Sequence, residues 1–150
     1  MMSRRTAREI AMHLSFATVM NRMDIGEMLD DFFDPEYFAS LGEEDPAYAE
    51  YPDEKQLAYI RHVAEGVSLH AAELDGYIEK YAKNWEFQRI SRVAAAIMRT
   101  AMFEILYMPE VPYKAAANEA VELAKTYEDR DTAGFINGIL ASFIKDERHE

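Results

Sequence analysis

The chain contains no cysteine among its 150 residues. This absence excludes disulfide bonds, thiolate metal sites and cysteine nucleophiles together. It fits a reducing compartment, so we expect a cytoplasmic protein. No apolar run reaches the roughly eighteen residues that a transmembrane helix needs, which excludes a membrane-spanning segment.

Recognisable catalytic patterns are also absent. The sequence has no phosphate-binding loop, nucleophile elbow or dinucleotide-binding glycine pattern. The best metal candidate combines His62 and Glu65 with His70 and Glu73, because residues three apart share one helix face. Di-iron bundles need the opposite order and further carboxylates. A metal-dependent helical enzyme is therefore the least favoured of the three functions considered for this chain. We expect no metal and no cofactor.

Basic residues are missing from one long stretch. Between Asp24 and Glu54 there are twelve acidic residues and no Lys or Arg. The net charge of −12 argues against nucleic acid, but the other 16 acidic residues balance the 16 basic ones. A local basic face is therefore compatible with the composition. The segment at about residues 33–53 predicts an acidic loop insertion, either solvated or acting as a flap that competes with an anionic ligand.

Sustained alternation of apolar and polar residues is absent too, so no strand is predicted. The stretch from Arg89 to Met108 is apolar at nearly every angle of a helical wheel. Such a helix has to be covered on most sides. The sequence predicts an all-α protein of six or seven helices in a single domain, residues 1–150, organised around this stretch.

Local signals set the predicted helix boundaries. Thr6 and Glu9 match the capping-box pattern, so the first helix is predicted to begin at Thr6 and to run to about Arg22. The other predicted boundaries are a two-turn helix near 25–33, a break near 68–70 within the helical region 54–83, a stop at Met108-Pro109 and a cap for the last helix at Asp131 or Thr132.

Charged and aromatic residues near two helix starts give the first functional indication. Arg4 and Arg5 precede the predicted cap and Arg8 lies in the first turn, where positive charge opposes the helix dipole. This placement suggests an external anion, although these residues alone favour a solvated and partly disordered N-terminus. Phe135, near the start of the last helix, either stacks on a nucleic-acid base or belongs to the core.

The second half of the chain resembles the NusB family of transcription antitermination factors. Two runs are the most specific, NEAVELAK at residues 118–125 and FINGIL at residues 135–140. Shorter motifs occur in register with them: Leu74-Asp75-x-x-Ile78, Trp85, Arg89-Ile90-Ser91, Ala96-Ile97-Met98-Arg99-x-Ala101, Glu104 and Val111-Pro112. The match covers roughly residues 74–143, and the arginine-bearing first helix agrees with it.

This resemblance implies both a fold and a function. The implied fold is two small helical bundles packed together. The implied function is not enzymatic: binding the boxA element of nascent ribosomal RNA leader transcripts together with the ribosomal protein NusE, so that RNA polymerase resists termination.

Site residues follow from the positions that match the family. The implied RNA-binding residues are Arg4, Arg5, Arg8, Phe16, Asp131 and Phe135. The implied interface with the ribosomal protein comprises Tyr81, Ala94, Ile97 and Arg99. The family usually has an acid at the position of Ala94. This departure and the long acidic segment support an alternative, a NusB-like adaptor or homodimer that has lost RNA binding.

Overall fold

The computed structural model describes residues 1–21, 24–83 and 89–148. Regular structure in these residues is entirely helical, which confirms the all-α prediction. The elements are α1 (Arg4–Asn21), α2 (Ile25–Phe32), α3 (Pro35–Leu41), a 3₁₀ helix (Pro46–Tyr48), α4 (Glu54–Leu69), α5 (Ala71–Tyr81), α6 (Arg92–Tyr107), α7 (Tyr113–Tyr127) and α8 (Arg130–Glu147). None of these helices is long and apolar enough to cross a membrane.

The predicted count of six or seven helices is wrong, since eight α-helices occur in the described ranges. Asp34 and Pro35 follow the predicted two-turn helix near 25–33, and they start a further helix, α3. The Asp34 carboxylate accepts a hydrogen bond from the backbone N–H of Tyr37 at 3.1 Å, and Pro35 occupies the first helical position, where its missing N–H costs nothing. Part of the predicted acidic loop is therefore helical.

Two predicted caps are displaced. Ser3, rather than Thr6, caps α1: its Oγ accepts the backbone N–H of Thr6 at 3.0 Å. Asp129, rather than Asp131 or Thr132, caps α8 by accepting the N–H of Thr132 at 2.7 Å. In both cases a competent cap residue lies within one turn upstream, and the helix extends to it.

The predicted break within residues 54–83 is confirmed, because His70 separates α4 from α5. Ser91 caps α6 through the N–H of Ala94 at 3.0 Å. The motif residue Trp85 lies outside the described residues.

The chain divides into two compact units, residues 1–69 and 70–150. In the first unit α1 and α2 pack on α4, while α3 and the 3₁₀ helix close one side. Phe38 is 1% exposed at the centre of an aromatic cluster. Its ring centroid lies 5.2 Å from that of Tyr51 and 5.4 Å from that of Tyr48. The acidic segment is therefore fixed by its own aromatic side chains.

The second unit is built around α6, as the sequence predicts. Helices α5, α7 and α8 all contact it, and every residue from Ala94 to Ile105 is buried. The small side chains at its N-terminal end, Ala94 to Ala96, allow neighbouring backbones to approach closely. The buried face also contains Arg99, Thr100 and Glu104, and the Thr100 hydroxyl donates to the carbonyl of Ala96 at 2.9 Å.

Candidate nucleic-acid interface

The three N-terminal arginines all lie on α1, not before it, because the helix begins at Arg4. Their exposures differ. Arg5 is exposed and Arg4 is half-buried, whereas Arg8 is 7% exposed. Arg4 and Arg8 are four residues apart and share one helix face, where both guanidinium groups approach the ring of Tyr59 on α4, at 4.0 and 5.8 Å from its centroid.

Arg4 is held against α4 by a second contact. Its Nε donates to Oε1 of Gln56 at 2.8 Å. Gln56 is itself buried, and its backbone N–H donates to the Asp53 carboxylate that caps α4. Cation–π and hydrogen-bond contacts of this kind restrict a guanidinium to one orientation. Arg4 and Arg8 thus help to join α1 to α4, and Arg5 is the arginine most open to an external ligand.

Phe16 and Arg5 lie on the same side of α1. They are eleven residues apart, which is close to three helical turns, or about 16 Å along the axis. Phe16 is half-buried and Arg5 exposed. The first unit therefore presents one basic and one aromatic side chain along a single helix face, which is a smaller basic surface than three arginines would give.

The other two predicted RNA-binding residues lie in the second unit. Asp131 and Phe135 are four residues apart on α8 and share a pocket of about 320 Å³. The pocket is lined by Arg89, Ile90, Ser91, Ala94, Glu128, Asp129, Asp131, Thr132 and Phe135. The structure thus brings together Asp131, Phe135 and Ala94, which the family resemblance assigned to two different ligands.

The chemistry of this α6–α8 pocket suits a base better than a phosphate. Carboxylates accept hydrogen bonds from exocyclic amino groups of bases, and Phe135 supplies an aromatic surface for stacking. The pKa of Asp129 is lowered because the backbone and hydroxyl of Thr132 donate to it, so this carboxylate stays ionised. The Ser91 hydroxyl donates to the Glu128 carboxylate.

Glu128 and Ser91 line the pocket but are not among the site residues predicted from the sequence. In the sequence, Glu128 belongs to a run of four charged residues, 128–131, and Ser91 belongs to the short motif Arg89-Ile90-Ser91. Neither signal indicates that the start of α6 and the start of α8 meet, because that proximity depends on how the two helices pack.

The predicted protein-partner residues are not a surface in this structure. Tyr81, Ala94, Ile97 and Arg99 are each at most 7% exposed. The Arg99 Nε donates to Oδ1 of Asp75 at 2.6 Å, and the Tyr81 hydroxyl donates to the Glu147 carboxylate. Direct contact between these four side chains and a partner stays a prediction that their burial does not support.

The metal candidate is not assembled. Within the described ranges, which include all four of its residues, no three His, Asp or Glu side chains are grouped to hold a metal ion. His70 stacks on Tyr107 at 4.3 Å between ring centroids, and its Nδ1 lies 3.1 Å from Oε1 of Glu73. These contacts assign His70 and Glu73 to the packing of α5 on α6.

The fold and these surfaces define an all-helical binding protein with charged and aromatic side chains in each of two compact units. The NusB family model matches residues 5–145, and the chain belongs to the NusB family.

Relatives and solved structures agree with this membership. The chain is 38% identical to the transcription antitermination protein NusB of Acetivibrio thermocellus, over 96% of this chain and 90% of that protein. It is 34% identical to the protein of the same name from Clostridium botulinum strain Loch Maree, over 95% of this chain and all of that protein. Both relatives are named as transcription antitermination proteins.

Two solved structures share the fold. T. maritima NusB aligns with a TM-score of 0.77 at 26% identity, covering 96% of this chain and 92% of that one. A structure of the antitermination factors NusB and NusE in complex with dsRNA aligns with a TM-score of 0.72 at 21% identity, covering 95% and 96%.

Proposed function

We propose that this protein is a transcription antitermination factor. It binds boxA-type RNA of ribosomal RNA leader transcripts together with the ribosomal protein NusE, within the RNA polymerase antitermination complex of the cytoplasm. The observation that carries this proposal is family membership over residues 5–145, with relatives of that name aligned over nearly the whole chain. The fold shared with a NusB that is in complex with NusE and dsRNA supports the choice of partners.

Within this proposal the RNA contacts come from both units. Arg5 supplies a phosphate contact and Phe16 a stacking surface on α1. Phe135 and Asp131 receive a base in the α6–α8 pocket. Arg4 and Arg8 act mainly by holding α1 on α4. The Arg4 guanidinium already packs on the Tyr59 ring and donates a hydrogen bond to Gln56.

The electrostatic contribution to RNA affinity is then small. One to three phosphate contacts give a slope of about −0.7 to −2 for log K against log salt on single-stranded RNA. The ribosomal protein therefore supplies much of the affinity. In fluorescence anisotropy with labelled boxA-like RNA, we expect NusE to tighten binding by about tenfold or more. Negligible affinity both with and without NusE would overturn the proposal.

Arg5 offers a matched test of the RNA surface. Arg5→Gln should weaken RNA binding and make the salt slope shallower by about 0.7, the value for one lost phosphate contact. Lys114→Gln removes the same charge from an exposed position on α7 and should leave the slope unchanged. Equal salt slopes for both variants would show that Arg5 does not contact an RNA phosphate.

A second candidate function is a NusB-like adaptor or homodimer without RNA binding. The burial of Arg8 and the replacement of the usual acid by Ala94 favour it. Sedimentation velocity separates the candidates: an adaptor sediments with NusE, or as a dimer, at the same rate whether or not boxA-like RNA is present. The antitermination factor forms a faster species only when RNA is added.

A further inference from the structure

The first unit contains an open apolar pocket that the proposed function does not use. It has a volume of about 440 Å³ and lies among α1, α2, α3 and the 3₁₀ helix. We call it the α1–α3 pocket. Its lining consists of His13, Leu14, Ala17, Met28, Asp31, Phe32, Tyr37, Leu41 and Tyr48.

The lining is apolar and partly open to solvent. Leu14 and Met28 are buried, Phe32 and Leu41 are half-buried, and Tyr37 at the edge is 50% exposed. A pocket of this volume with aromatic walls is in the range of protein ligand sites. It is large enough to receive one bulky apolar side chain, which is the usual anchor of a protein interface.

The walls of the pocket are held in place before any ligand binds. The ring of Tyr48 lies 5.7 Å from that of Phe32 and 5.4 Å from that of Phe38 between centroids. The Tyr48 hydroxyl also lies 2.5 Å from Nδ1 of His13 on α1. These contacts connect the 3₁₀ helix to α1 and α2. The pocket is therefore already formed in the free protein, and a ligand does not have to order its walls.

The charge around the pocket selects the sign of its ligand. Asp31 is part of the lining and is exposed. The two helices and the 3₁₀ helix that form one side all come from the segment 24–54, which has twelve acidic residues and no Lys or Arg. His13 does not offset this charge near neutral pH, because burial lowers its pKa. Nucleic acid is disfavoured here by repulsion, and a cationic ligand is favoured.

We propose that the α1–α3 pocket docks a basic peptide segment of a protein partner. The segment inserts one aromatic or aliphatic side chain into the pocket, and its flanking Lys or Arg residues pair with Asp31 and the neighbouring carboxylates. An extended peptide fits better than a small molecule, since the exposed carboxylates of Asp34 and Glu36 at the start of α3 add to the single carboxylate of the lining. Asp30 contributes less, because it already pairs with Arg61 of α4 at 3.3 Å.

Three short acetylated peptides test the proposal with the full chain. The first has lysines on both sides of a central Leu-Phe-Leu, the second replaces that centre with serines, and the third replaces the lysines with glutamates. We expect the first to bind about tenfold or more tightly than either of the others, and less tightly at high salt. Equal affinities for the first and second peptides would overturn the proposal. They would show that only charge attracts the peptide and that no apolar side chain enters the pocket.

Variants locate the binding on the protein. Ala17→Trp fills the pocket from α1, and Asp31→Lys reverses the charge of its lining. Each substitution should lower the affinity for the first peptide by about fivefold to tenfold. Glu79→Lys makes the same type of charge reversal at an exposed position on α5 in the other unit, and it should change binding less than about twofold.

Two further results would contradict the proposal. Unchanged binding in both Ala17→Trp and Asp31→Lys places the peptide elsewhere. If Ala17→Trp instead slows the sedimentation of a self-associating wild type without affecting the peptide, the pocket belongs to a contact between copies of this chain. If Ala17→Trp fails to fold, Tyr37→Ser provides a second test, because Tyr37 lies half exposed at the edge of the pocket. This substitution should also lower the affinity for the first peptide.

Discussion

The guanidinium of Arg4 lies 4.0 Å from the ring centroid of Tyr59. This arginine, which the family resemblance predicts to bind RNA, therefore packs its planar group against α4. The same helix carries Gln56, which accepts the Arg4 Nε–H. A residue can thus match a family's binding pattern while its main physical role is to fix the helix that presents its neighbours.

Arg4→Lys should lower the free energy of unfolding by about 1 kcal/mol, because a lysine keeps the charge but loses the planar stack and the Nε–H donor. Urea denaturation monitored by circular dichroism measures this change. Lys114→Arg, at an exposed site on α7, should alter stability by less than about 0.5 kcal/mol. An Arg4→Lys variant as stable as the wild type would show that the Tyr59 contact does not stabilise the first unit.

Phe38→Ala should destabilise the first unit by about 3–5 kcal/mol, the usual cost of removing a fully buried aromatic side chain. The loss is expected because Phe38 contacts Phe32, Phe33, Tyr48 and Tyr51. Tyr37→Ala, one residue earlier and half exposed, is the matched control and should cost much less. Similar unfolding midpoints for the two variants would contradict the central position of Phe38.

Asp75→Asn should destabilise the second unit by about 1–3 kcal/mol, since it replaces the charged acceptor of the 2.6 Å hydrogen bond from buried Arg99. The Asp75 side chain is 31% exposed, which places the expected loss below that of a fully buried ion pair. Denaturant unfolding of Asp75→Asn and of the exposed-site variant Asp146→Asn gives the comparison. A loss no larger than that of Asp146→Asn would mean that the pair is energetically neutral.

The imidazole of His13 should titrate below pH 6.5 in the folded protein. Burial lowers its pKa, and this effect outweighs the opposing fields of Glu9 and Asp45. The unfolded state then binds more protons than the folded state, so this group makes the free energy of unfolding fall as pH decreases below about 6.5. An NMR titration of the imidazole proton signals measures the pKa directly, and a value above 6.5 would contradict the prediction.

Glu50→Gln should tighten RNA binding modestly, by up to about fivefold, if the acidic segment competes with RNA for the start of α1. The Glu50 carboxylate lies 3.0 Å from the N-terminal ammonium of Met1, three residues from Arg4. A single substitution at Glu50 is a cleaner test than deleting the acidic residues 36–50. The deletion would also remove the buried side chains of Phe38 and Tyr48. Unchanged affinity, measured beside Glu79→Gln, would leave Glu50 as a solvated surface residue.

The helical class, the central position of α6 and the family can all be predicted from the amino-acid sequence. Helical periodicity and the absence of alternation depend only on the order of residues, and the NEAVELAK and FINGIL runs need no coordinates. It also predicted the break at His70, because local backbone preferences are encoded within a few residues. Helix starts were less certain, since Ser3 and Asp129 compete with other capping residues nearby.

Which side chains are accessible depends on how the helices pack. Arg5 is exposed and Arg8 is buried on the same helix, because the face of α1 that carries Arg4 and Arg8 packs on Tyr59 of α4. Ala94 and Phe135 meet in one pocket, and Tyr37 is left open beside an apolar cavity. These relations arise between residues far apart in the chain, where packing of whole helices sets the distances and no local pattern records them.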